Sequence, residues 1–429
     1  MKKGIVVFSK IVIVVLLLNV FSSTILYVHG GGSLGFLTTP IKYFYEFPKL
    51  VIKVYKEFKQ PEKLTTIDPN FTTINQLKYD LFALNGRFEQ SKWIISLTNL
   101  KNDSVIYEWY LTENSYNKTE RNFSHAELRN PILLSDKSLI IYNDETNNLY
   151  KIDKTSKIIW HNKDYQFHHG LSTDRTGNIW TCTRKSINLA SENVSYFDNY
   201  ITKIDVKNGL QLYHKSLTEI FKENGLIALV HGMGNQVGPM GNDPLHLNKI
   251  EPVLKDGLYW KADDLFISLR NRSLVFLYRP ATNKIIRIIQ GPFLNQHDVD
   301  ILSDSTICIF NNNASSIAFA PKAEKRTSKD FSSSINNFSE VLIYNLKDST
   351  YTSIYKNQFI ENKIYTRTQG QQQLLSNGDL FVESTDAGKV YLINQKQVLI
   401  KKYFNNPKPN GVERPHWIRI YENLNFLNK

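Results

Sequence analysis

Leu302-Ser-Asp-Ser-Thr-Ile-Cys-Ile-Phe310 is a polar turn followed by a short apolar run rich in β-branched residues, and the same phrase returns along the chain. Three further copies are clear and two are degenerate: Leu134–Tyr142, Thr176–Thr181 and Leu375–Val382, then Lys92–Ser96 and Asp264–Ser268. Recurrence of one short phrase is the signature of a repeat architecture. The six copies predict six structural units.

A second β-rich run follows each copy of the phrase. These runs are Ser104–Tyr110, Leu149–Asp153, Ile201–Asp205, Val275–Tyr278, Val341–Asn345 and Val390–Asn394. A polar turn and another β-rich run then complete a unit of about four antiparallel strands. Such a sheet cannot bury both faces alone and must stack on its neighbours.

The sequence therefore predicts an all-β fold, a six-bladed β-propeller over residues 80–429, closed by a strand at Ile418–Tyr421. The segment Arg414–Trp417 is expected to form a surface turn before that strand, with the alternative that His416 reaches the central opening. A pair of β-sandwiches is the rival fold, but it does not explain why one turn and strand return six times.

The charge balance of the 429-residue chain favours anionic partners. Lys and Arg exceed Asp and Glu by 52 to 40, a net charge of +12. The excess is spread along the chain, without a dense basic run or a nucleic-acid-binding motif, so nucleic acid is not expected as a partner. The two cysteines, Cys182 and Cys308, are too few for a disulfide framework.

The N-terminus has the composition of a membrane segment. Ile11–Val28 is predominantly apolar and is preceded by Lys2, Lys3 and Lys10. The stretch is at the lower limit for a membrane-spanning helix and long for the core of a signal peptide, and Val28–Gly31 is a poor cleavage site. Residues 1–30 are expected to be an uncleaved signal anchor, with a cleaved signal peptide as the alternative.

This anchor predicts where the protein resides. Basic residues before an apolar helix place the N-terminus in the cytoplasm, so the propeller is expected on the periplasmic, extracytoplasmic side of the membrane. Residues 31–79 contain aromatics and lysines at rough helical spacing. They are expected to form a partly helical stalk, which either lies on the membrane surface or packs on the propeller.

Histidines precede two of the repeated phrases in the same register. His169 lies eight residues before Gly177, and His297 lies eight before Ser305. Equivalent positions in a radial repeat lie at equivalent radius, so both side chains are expected at the central opening. The pattern leaves open whether His168 or His169 faces inward. The alternative is that these are core histidines that bond to nearby backbone.

Further polar residues with related chemistry lie in the fourth unit. His246 and Asn248 are two residues apart and share a face if the chain is extended. Arg270 ends the run that begins at Leu265. Imidazole, amide and guanidinium groups together suit an oxyanion-rich group such as sulfuryl or phosphoryl. A metal site is the competing use of histidines, but no His-x-His or His-x-x-x-His spacing supports it and Arg270 would repel a cation, so neither metal nor cofactor is expected.

Several of these phrases resemble the PAPS-independent arylsulfate sulfotransferase family. The resemblance spans roughly residues 80 to 420 and is carried by Gln296–Asp298, Ile301–Leu302, Ile309–Asn312, His246-x-Asn248, Ser268–Arg270, Phe167–His169 and Gln371–Asp379. It implies a six-bladed propeller and transfer of a sulfuryl group from an aryl sulfate ester to a phenol without a nucleotide donor. Where that family has His-His-Asp, this chain has His168-His169-Gly170.

The resemblance also implies roles for individual residues. Its nucleophilic histidine falls on His297, which would be transiently sulfurylated. Its anion-binding pair falls on His246 and Asn248, its arginine on Arg270 and its remaining histidine on His169, and His168 is a further candidate for substrate binding. Two other functions stay open: a non-catalytic propeller that binds anionic, sulfated ligands or an envelope partner, and metal-dependent hydrolysis.

Overall fold

The computed structural model describes residues 19–28, 34–38, 40–41, 64–89, 92–112, 128–143, 147–189, 194–231, 243–314, 338–408 and 411–428. Two compact units are present. The first comprises residues 1–63 with 189–194, and the second comprises residues 64–188 with 195–429. In the first unit residues 19–28 are helical and Gly35–Leu37 forms a 3-10 turn.

The expected signal anchor and stalk lie largely outside the described residues, which omit 1–18, 29–33 and 42–63. Across the helices that are described, none is both long enough and apolar enough to span a membrane.

The second unit is built almost entirely of short strands. In chain order they are β1 (Leu64–Thr65), β2 (Ile74–Asn75), β3 (Phe82–Glu89), β4 (Lys92–Asn99), β5 (Ser104–Thr112), β6 (Ile132–Leu133), β7 (Leu139–Asn143), β8 (Asn148–Ile152), β9 (Ile158–Asn162), β10 (Gln166–Thr173), β11 (Ile179–Leu189), β12 (Val194–Ile204), β13 (Gln211–Ser216) and β14 (Leu247–Pro252). They continue with β15 (Leu265–Leu269), β16 (Leu274–Arg279), β17 (Lys284–Ile289), β18 (Val299–Ile301), β19 (Thr306–Asn311), β20 (Glu340–Asn345), β21 (Thr350–Ile354), β22 (Gln371–Leu374), β23 (Leu380–Ser384), β24 (Lys389–Ile393), β25 (Val398–Tyr403), β26 (Pro407–Lys408), β27 (Gly411–Glu413) and β28 (Arg419–Tyr421).

Helical segments are few and lie between strands. They are α1 (Leu217–Glu223), α2 (Ala228–His231) and α3 (Lys356–Glu361), with 3-10 turns at Arg270–Arg272, Pro280–Thr282, Thr385–Ala387 and Asn425–Asn428.

The strands form six antiparallel blades, which confirms the predicted six-bladed propeller. The blades are β28-β3-β4-β5, β6-β7-β8-β9, β10-β11-β12-β13, β14-β15-β16-β17, β18-β19-β20-β21 and β22-β23-β24-β25, and we number them 1 to 6 in that order. Within the segment expected to be the stalk, β2 pairs with β25 of blade 6, and β1 pairs with β27.

The ring is closed by the two ends of the chain. The innermost strand of blade 1 is β28, the predicted closing strand, and Arg419 pairs with Leu84 of β3. The phrase at Lys92–Ser96 consequently falls in β4, the third strand of blade 1, whereas the other five copies lead into second strands. Asp80-Leu-Phe-Ala83 holds the second-strand position and matches Asp264-Leu-Phe-Ile267 and Asp379-Leu-Phe-Val382. The first copy was thus assigned one strand too late, because the C-terminus supplies this blade's inner strand.

Apolar side chains between neighbouring blades form the core. Six buried clusters are present, and each joins two adjacent blades, as where Trp180 of blade 3 meets Ile267 and Phe276 of blade 4. Burial of each large apolar side chain contributes about 1.5–3 kcal/mol. Radial stacking therefore buries the faces that one sheet alone would expose.

Candidate functional site

Each blade has one residue with a left-handed backbone at its innermost strand, within the strand at the bulge of β10 and before the strand in the other five blades. These residues are Trp417, Asn130, His169, His246, Asn295 and Gln369, with φ between 44° and 59°. A residue other than glycine in this region costs about 1 kcal/mol or more, and such residues concentrate at functional sites. The repeated turn brings six chain entrances to one end of the central channel, which we call the mouth.

Three histidines and one tryptophan from four different blades meet at the mouth. The ring centroid of His169 lies 4.8 Å from that of His246 and 6.3 Å from that of His297. The Trp417 ring lies 5.8 Å from His169 and 6.3 Å from His297. All four side chains are buried. The structure therefore brings together His169 and His297, which the sequence placed at the opening, with His246, which it named as a candidate from another segment.

Hydrogen bonds determine which nitrogen of His297 carries the proton. The backbone N–H of Gln369 donates to Nε2 of His297 at 3.0 Å, so Nε2 holds a lone pair. Nδ1 therefore carries the proton and donates to Oδ1 of Asn312 at 2.8 Å. Burial, and next the charge of Arg270, hold the pKa of His297 well below its usual range. His297 is consequently a neutral imidazole at neutral pH.

His246 is oriented by a carboxylate. Its Nδ1 lies 2.8 Å from Oδ2 of Asp243, and its backbone N–H donates to Oδ1 of the same side chain at 3.0 Å. Burial alone would raise the pKa of Asp243, but the charge and hydrogen bond of His246 outweigh burial and hold that pKa well below its usual range. Asp243 is thus ionised and accepts the Nδ1 proton, which leaves Nε2 of His246 as the nitrogen available for proton exchange.

The adjacent histidines of blade 3 have different positions. His168 lies within β10, opposite Cys182 of β11, and its Nε2 has no hydrogen-bond partner in the described ranges. His169 follows at a bulge in the strand and contacts His246 and Trp417. Their Nδ1 atoms lie 2.8 Å apart, so one ring donates to the other. His169 faces the central cluster, and His168 contacts His169 through the bond between their Nδ1 atoms.

Burial lowers the pKa of both histidines well below the usual value. For His168 the next cause is the charge of Arg184, and for His169 it is that of His246. Both rings are neutral at neutral pH, so each can donate through only one nitrogen.

Asn248 and Arg270 add polar groups to the site. Nδ2 of Asn248 donates to the backbone carbonyl of Gln296 at 2.8 Å, and its Oδ1 is buried without a partner within the described residues. Arg270 donates through Nη1 to Asn271 at 2.8 Å, and its Nε is likewise buried and unpartnered in that part of the chain. The positive charge of Arg270 reaches His297, where it contributes to the lowered pKa. These unmet donors and acceptors are the groups that a polar ligand would complete.

Sequence reasoning missed four groups of this site: Asp243, Asn312, Gln369 and Trp417. The expectation of a surface turn at Arg414–Trp417 was wrong, because Trp417 is fully buried. The carboxylate of Glu383 accepts the backbone N–H groups of Trp417 and Ile418 at 3.2 and 2.7 Å and draws this segment inward. Asn312 lies in a phrase that the sequence singled out, whereas Gln369, whose carbonyl accepts from Asn312, lies outside those phrases.

Gly170 permits the close packing beneath the histidines. A Cβ at this position would lie 3.2 Å from the Trp417 ring and 3.5 Å from Cδ of Lys249. An aspartate side chain here, as in the His-His-Asp phrase of the resembled family, would require one of these neighbours to move.

An ionic network around the buried Lys249 lies against the histidine-bearing segments. Nζ of Lys249 is 3.1 Å from Asp298, 3.4 Å from Glu251 and 3.6 Å from Asp300. Burial and the neighbouring carboxylate of Asp298 raise the pKa of Asp300 to about 8. One lysine thus faces three carboxylates, and a proton on Asp300 relieves part of their repulsion. Among the described residues no group of three or more His, Cys, Asp and Glu side chains is arranged to hold a metal ion.

Comparison with known proteins identifies a family. Residues 130–405 match the family model described as arylsulfotransferase (ASST). No curated protein matches the chain.

The solved structures that resemble the chain have low TM-scores and low sequence identities. A protein of unknown function from Bacteroides caccae has a TM-score of 0.45 and 10% identity, covering 80% of this chain and 98% of its own. Kuenenia stuttgartiensis hydrazine synthase has a TM-score of 0.42 and 11% identity, covering 77% and 80%. Virginiamycin B lyase from Staphylococcus aureus has a TM-score of 0.37 and 14% identity, covering 69% and 74%. At these scores the similarities carry no argument about function. The family match covers well over half of the sequence, and the chain therefore belongs to the arylsulfotransferase family.

Proposed function

We propose that this protein transfers a sulfuryl group from an aryl sulfate to a phenol, without a nucleotide donor, through a sulfohistidine at His297. Family membership supports a sulfotransferase function with small-molecule substrates on the propeller. The observation that carries the finer proposal is the protonation state of His297, whose Nε2 holds a lone pair while Nδ1 is bonded to Asn312. A neutral imidazole with an oriented lone pair is a competent nucleophile.

In the first half-reaction the lone pair of His297 Nε2 attacks the sulfur. An N–S bond forms as the bond between sulfur and the aryl oxygen breaks, and the phenolate leaves. The N–H of Gln369 must withdraw from Nε2 for this attack. Once withdrawn it lies near the new N–S bond and can donate to a sulfuryl oxygen.

The leaving phenolate needs a proton, and the acceptor phenol must lose one. His246 suits both steps as an imidazolium paired with ionised Asp243: Nδ1–H stays on Asp243, Nε2–H protonates the leaving phenolate, and the neutral Nε2 then takes the proton of the acceptor phenol. In the second half-reaction the acceptor oxygen attacks sulfur, the N–S bond breaks and the proton passes to His246. The ring is thereby reset for the next donor.

Charge on the sulfuryl oxygens requires fixed donors. Arg270 supplies a guanidinium whose Nε is buried and unpartnered among the described residues. Nδ2 of Asn248 carries two hydrogens, of which the carbonyl of Gln296 takes one. Donors that are already in place cost no reorganisation during the reaction, so they stabilise developing charge effectively.

The test is transfer of a radiolabelled sulfuryl group from 4-nitrophenyl sulfate. Label is expected on His297, with none on the His297→Ala variant. His231→Ala, which removes an exposed histidine of α2, is the matched control and should label normally. If the wild-type protein takes no label and sulfates no phenol, the proposal is wrong.

A binding protein without catalysis is the second candidate, favoured by the unpartnered donors of Arg270. It predicts that the His297→Ala variant still binds aryl sulfates and that Arg270→Ala does not, with no turnover by either the variants or the wild type. Turnover by the wild-type protein would exclude it.

We also propose that the chain is anchored by a helix at its N-terminus with the propeller outside the cytoplasm. The support is the apolar stretch Ile11–Val28 and the lysines before it. Fractionation of cells that express the full chain, followed by protease treatment of intact cells or spheroplasts, tests this. Recovery of protease-resistant protein in the soluble cytoplasmic fraction would contradict it.

A further inference from the structure

Two arginines away from the mouth have carboxylate partners. Arg175 forms a two-point ion pair with Asp263, and Arg279 forms one with Asp264. In both pairs two guanidinium nitrogens contact two carboxylate oxygens at 2.7–3.1 Å. This is the geometry that guanidinium groups adopt with carboxylates and other oxyanions.

The 3-10 turn Arg270–Arg272 lies at the mouth. It joins β15 to β16 and is bonded to the segment that carries His246. The backbone N–H of Arg270 donates to the His246 carbonyl at 3.1 Å, and that of Asn271 donates to the Leu245 carbonyl at 3.2 Å. The Asn271 side chain donates to the Asp243 carbonyl at 2.6 Å. The turn is therefore held firmly beside the histidine cluster.

Both arginines of this turn have unmet donors. Nε and Nη2 of Arg272 and Nε of Arg270 are buried from solvent, and within the described residues they have no hydrogen-bond partner. Burial lowers the pKa of both side chains, and for Arg270 the charge of Arg367 lowers it further. A buried donor without a partner costs free energy, and an anion that accepts from these three nitrogens removes that cost.

One sulfuryl group does not account for all of these donors. An aryl sulfate monoester carries a single negative charge, and in the proposed reaction Arg270, Asn248 and the imidazoles already bind the transferred group. Arg272 is then a second cation on the same turn with two donors unused. The mouth therefore carries more positive charge and more hydrogen-bond donors than the transferred sulfuryl group requires.

We propose that the aromatic substrates of this protein carry a second anionic group, a carboxylate or a second sulfate, which binds Arg272 while the transferred sulfuryl group binds beside Arg270. The proposal rests on the sulfotransferase function above. Arg272 acts here as a specificity-determining residue for the part of the substrate that does not react.

Binding of sulfonates that cannot be transferred tests this independently of catalysis. Calorimetry would compare benzenesulfonate with 3- and 4-sulfobenzoate and with 1,3-benzenedisulfonate on the full-length protein. At least one dianion is expected to bind roughly tenfold more tightly than benzenesulfonate, the scale of a charge-assisted hydrogen-bond pair. A preference for the sulfobenzoates indicates a carboxylate, and a preference for the disulfonate indicates a second sulfate.

The variant Arg272→Gln should reduce this preference to within about twofold while it leaves benzenesulfonate binding unchanged. Arg175→Gln is the matched control, because Arg175 lies in the turn between β10 and β11 and is already paired with Asp263. It should keep the full preference. Unchanged thermal unfolding of Arg272→Gln establishes that the variant folds.

Equal binding of all four ligands by the wild-type protein overturns the proposal, as does a preference that survives in Arg272→Gln. Neither result bears on sulfotransfer, because labelling of His297 is measured separately. A labelled His297 with no preference for dianions leaves the proposed function standing and removes this inference alone.

Discussion

The backbone N–H of Gln369 in blade 6 covers Nε2 of His297 in blade 5, with 3.0 Å between the two nitrogens. Asn312 holds both partners in place. Its Oδ1 accepts from Nδ1 of His297, and its Nδ2 donates to the carbonyls of Gln369 and Thr366 at 2.7 and 3.0 Å. This side chain therefore favours the Nδ1–H tautomer, together with the Asn295 carbonyl 3.2 Å from Nδ1, and positions the loop that covers Nε2.

Replacing Asn312 should disturb both functions in separable ways. In Asn312→Asp the carboxylate still accepts from Nδ1, so the tautomer is retained, but the donors that hold the blade 6 loop are lost. In Asn312→Ala the loop donors are lost as well, and Nδ1 keeps only the weaker acceptor, the Asn295 carbonyl at 3.2 Å. Nitrogen chemical shifts of His297 in NMR spectra should report the Nδ1–H tautomer for the wild type and Asn312→Asp and a mixture for Asn312→Ala. A wild-type spectrum with the proton on Nε2 contradicts the assignment.

Activity should persist at pH values at which an ordinary histidine is protonated. Burial and the charge of Arg270 keep the pKa of His297 well below 6.5, so the nucleophile stays neutral as the pH falls through that value. The acid limb of kcat/KM should therefore lie below pH 6.5. In Arg270→Gln one cause of the lowered pKa is gone, so the limb should move to higher pH. An acid limb at 6.5 or above in the wild type would count against His297 as the nucleophile.

Removing the charge of Asp243 should slow transfer and make it sensitive to the leaving group. In Asp243→Asn the amide can donate toward Nδ1, which favours the wrong tautomer of His246, and the rate should fall roughly 100-fold or more, the usual scale of acid–base catalysis. The loss should be largest for donors with poorly acidic phenols, since 4-nitrophenolate leaves without help. A uniform loss for all donors would indicate a structural effect, which thermal unfolding of the variant would reveal.

The ionic network around Lys249 should make stability depend on pH. Burial and then Asp298 raise the pKa of Asp300 from 3.8 to about 8, and Lys249 offsets this only in part. A raised pKa means that the folded protein binds the proton more tightly, so the contribution of Asp300 to stability is present below pH 4 and is lost as the pH rises through 8.

Asp300→Asn removes this loss. The free energy of unfolding of the variant, relative to that of the wild type, should increase between pH 5 and pH 9 in denaturant titrations. Asp304→Asn, at an exposed position on the turn after β18, is the control. The assignment fails if the difference between Asp300→Asn and the wild type is constant across this range.

Much of the fold could be predicted from the repeated phrase, because each unit must have a polar turn and a β-rich second strand wherever it stands in the ring. The error at Lys92–Ser96 has the same origin. The C-terminal segment supplies the inner strand of blade 1, and no local sequence pattern shows where a ring closes. The register of His169 and His297 could also be read directly, since equivalent positions in a radial repeat lie at equivalent radius.

The amino-acid sequence by itself determined the number of blades, the closing strand and the position of His297 and of the His168–His169 pair at the mouth, since each follows from local pattern repeated around an axis. The tertiary structure alone decided how those histidines are used. The N–H over His297 comes from a residue 72 positions away, and the tryptophan between His169 and His297 comes from the far end of the chain. Such contacts form because the stacking of the blades brings distant segments to the same axis. Local sequence does not show which of those segments will meet.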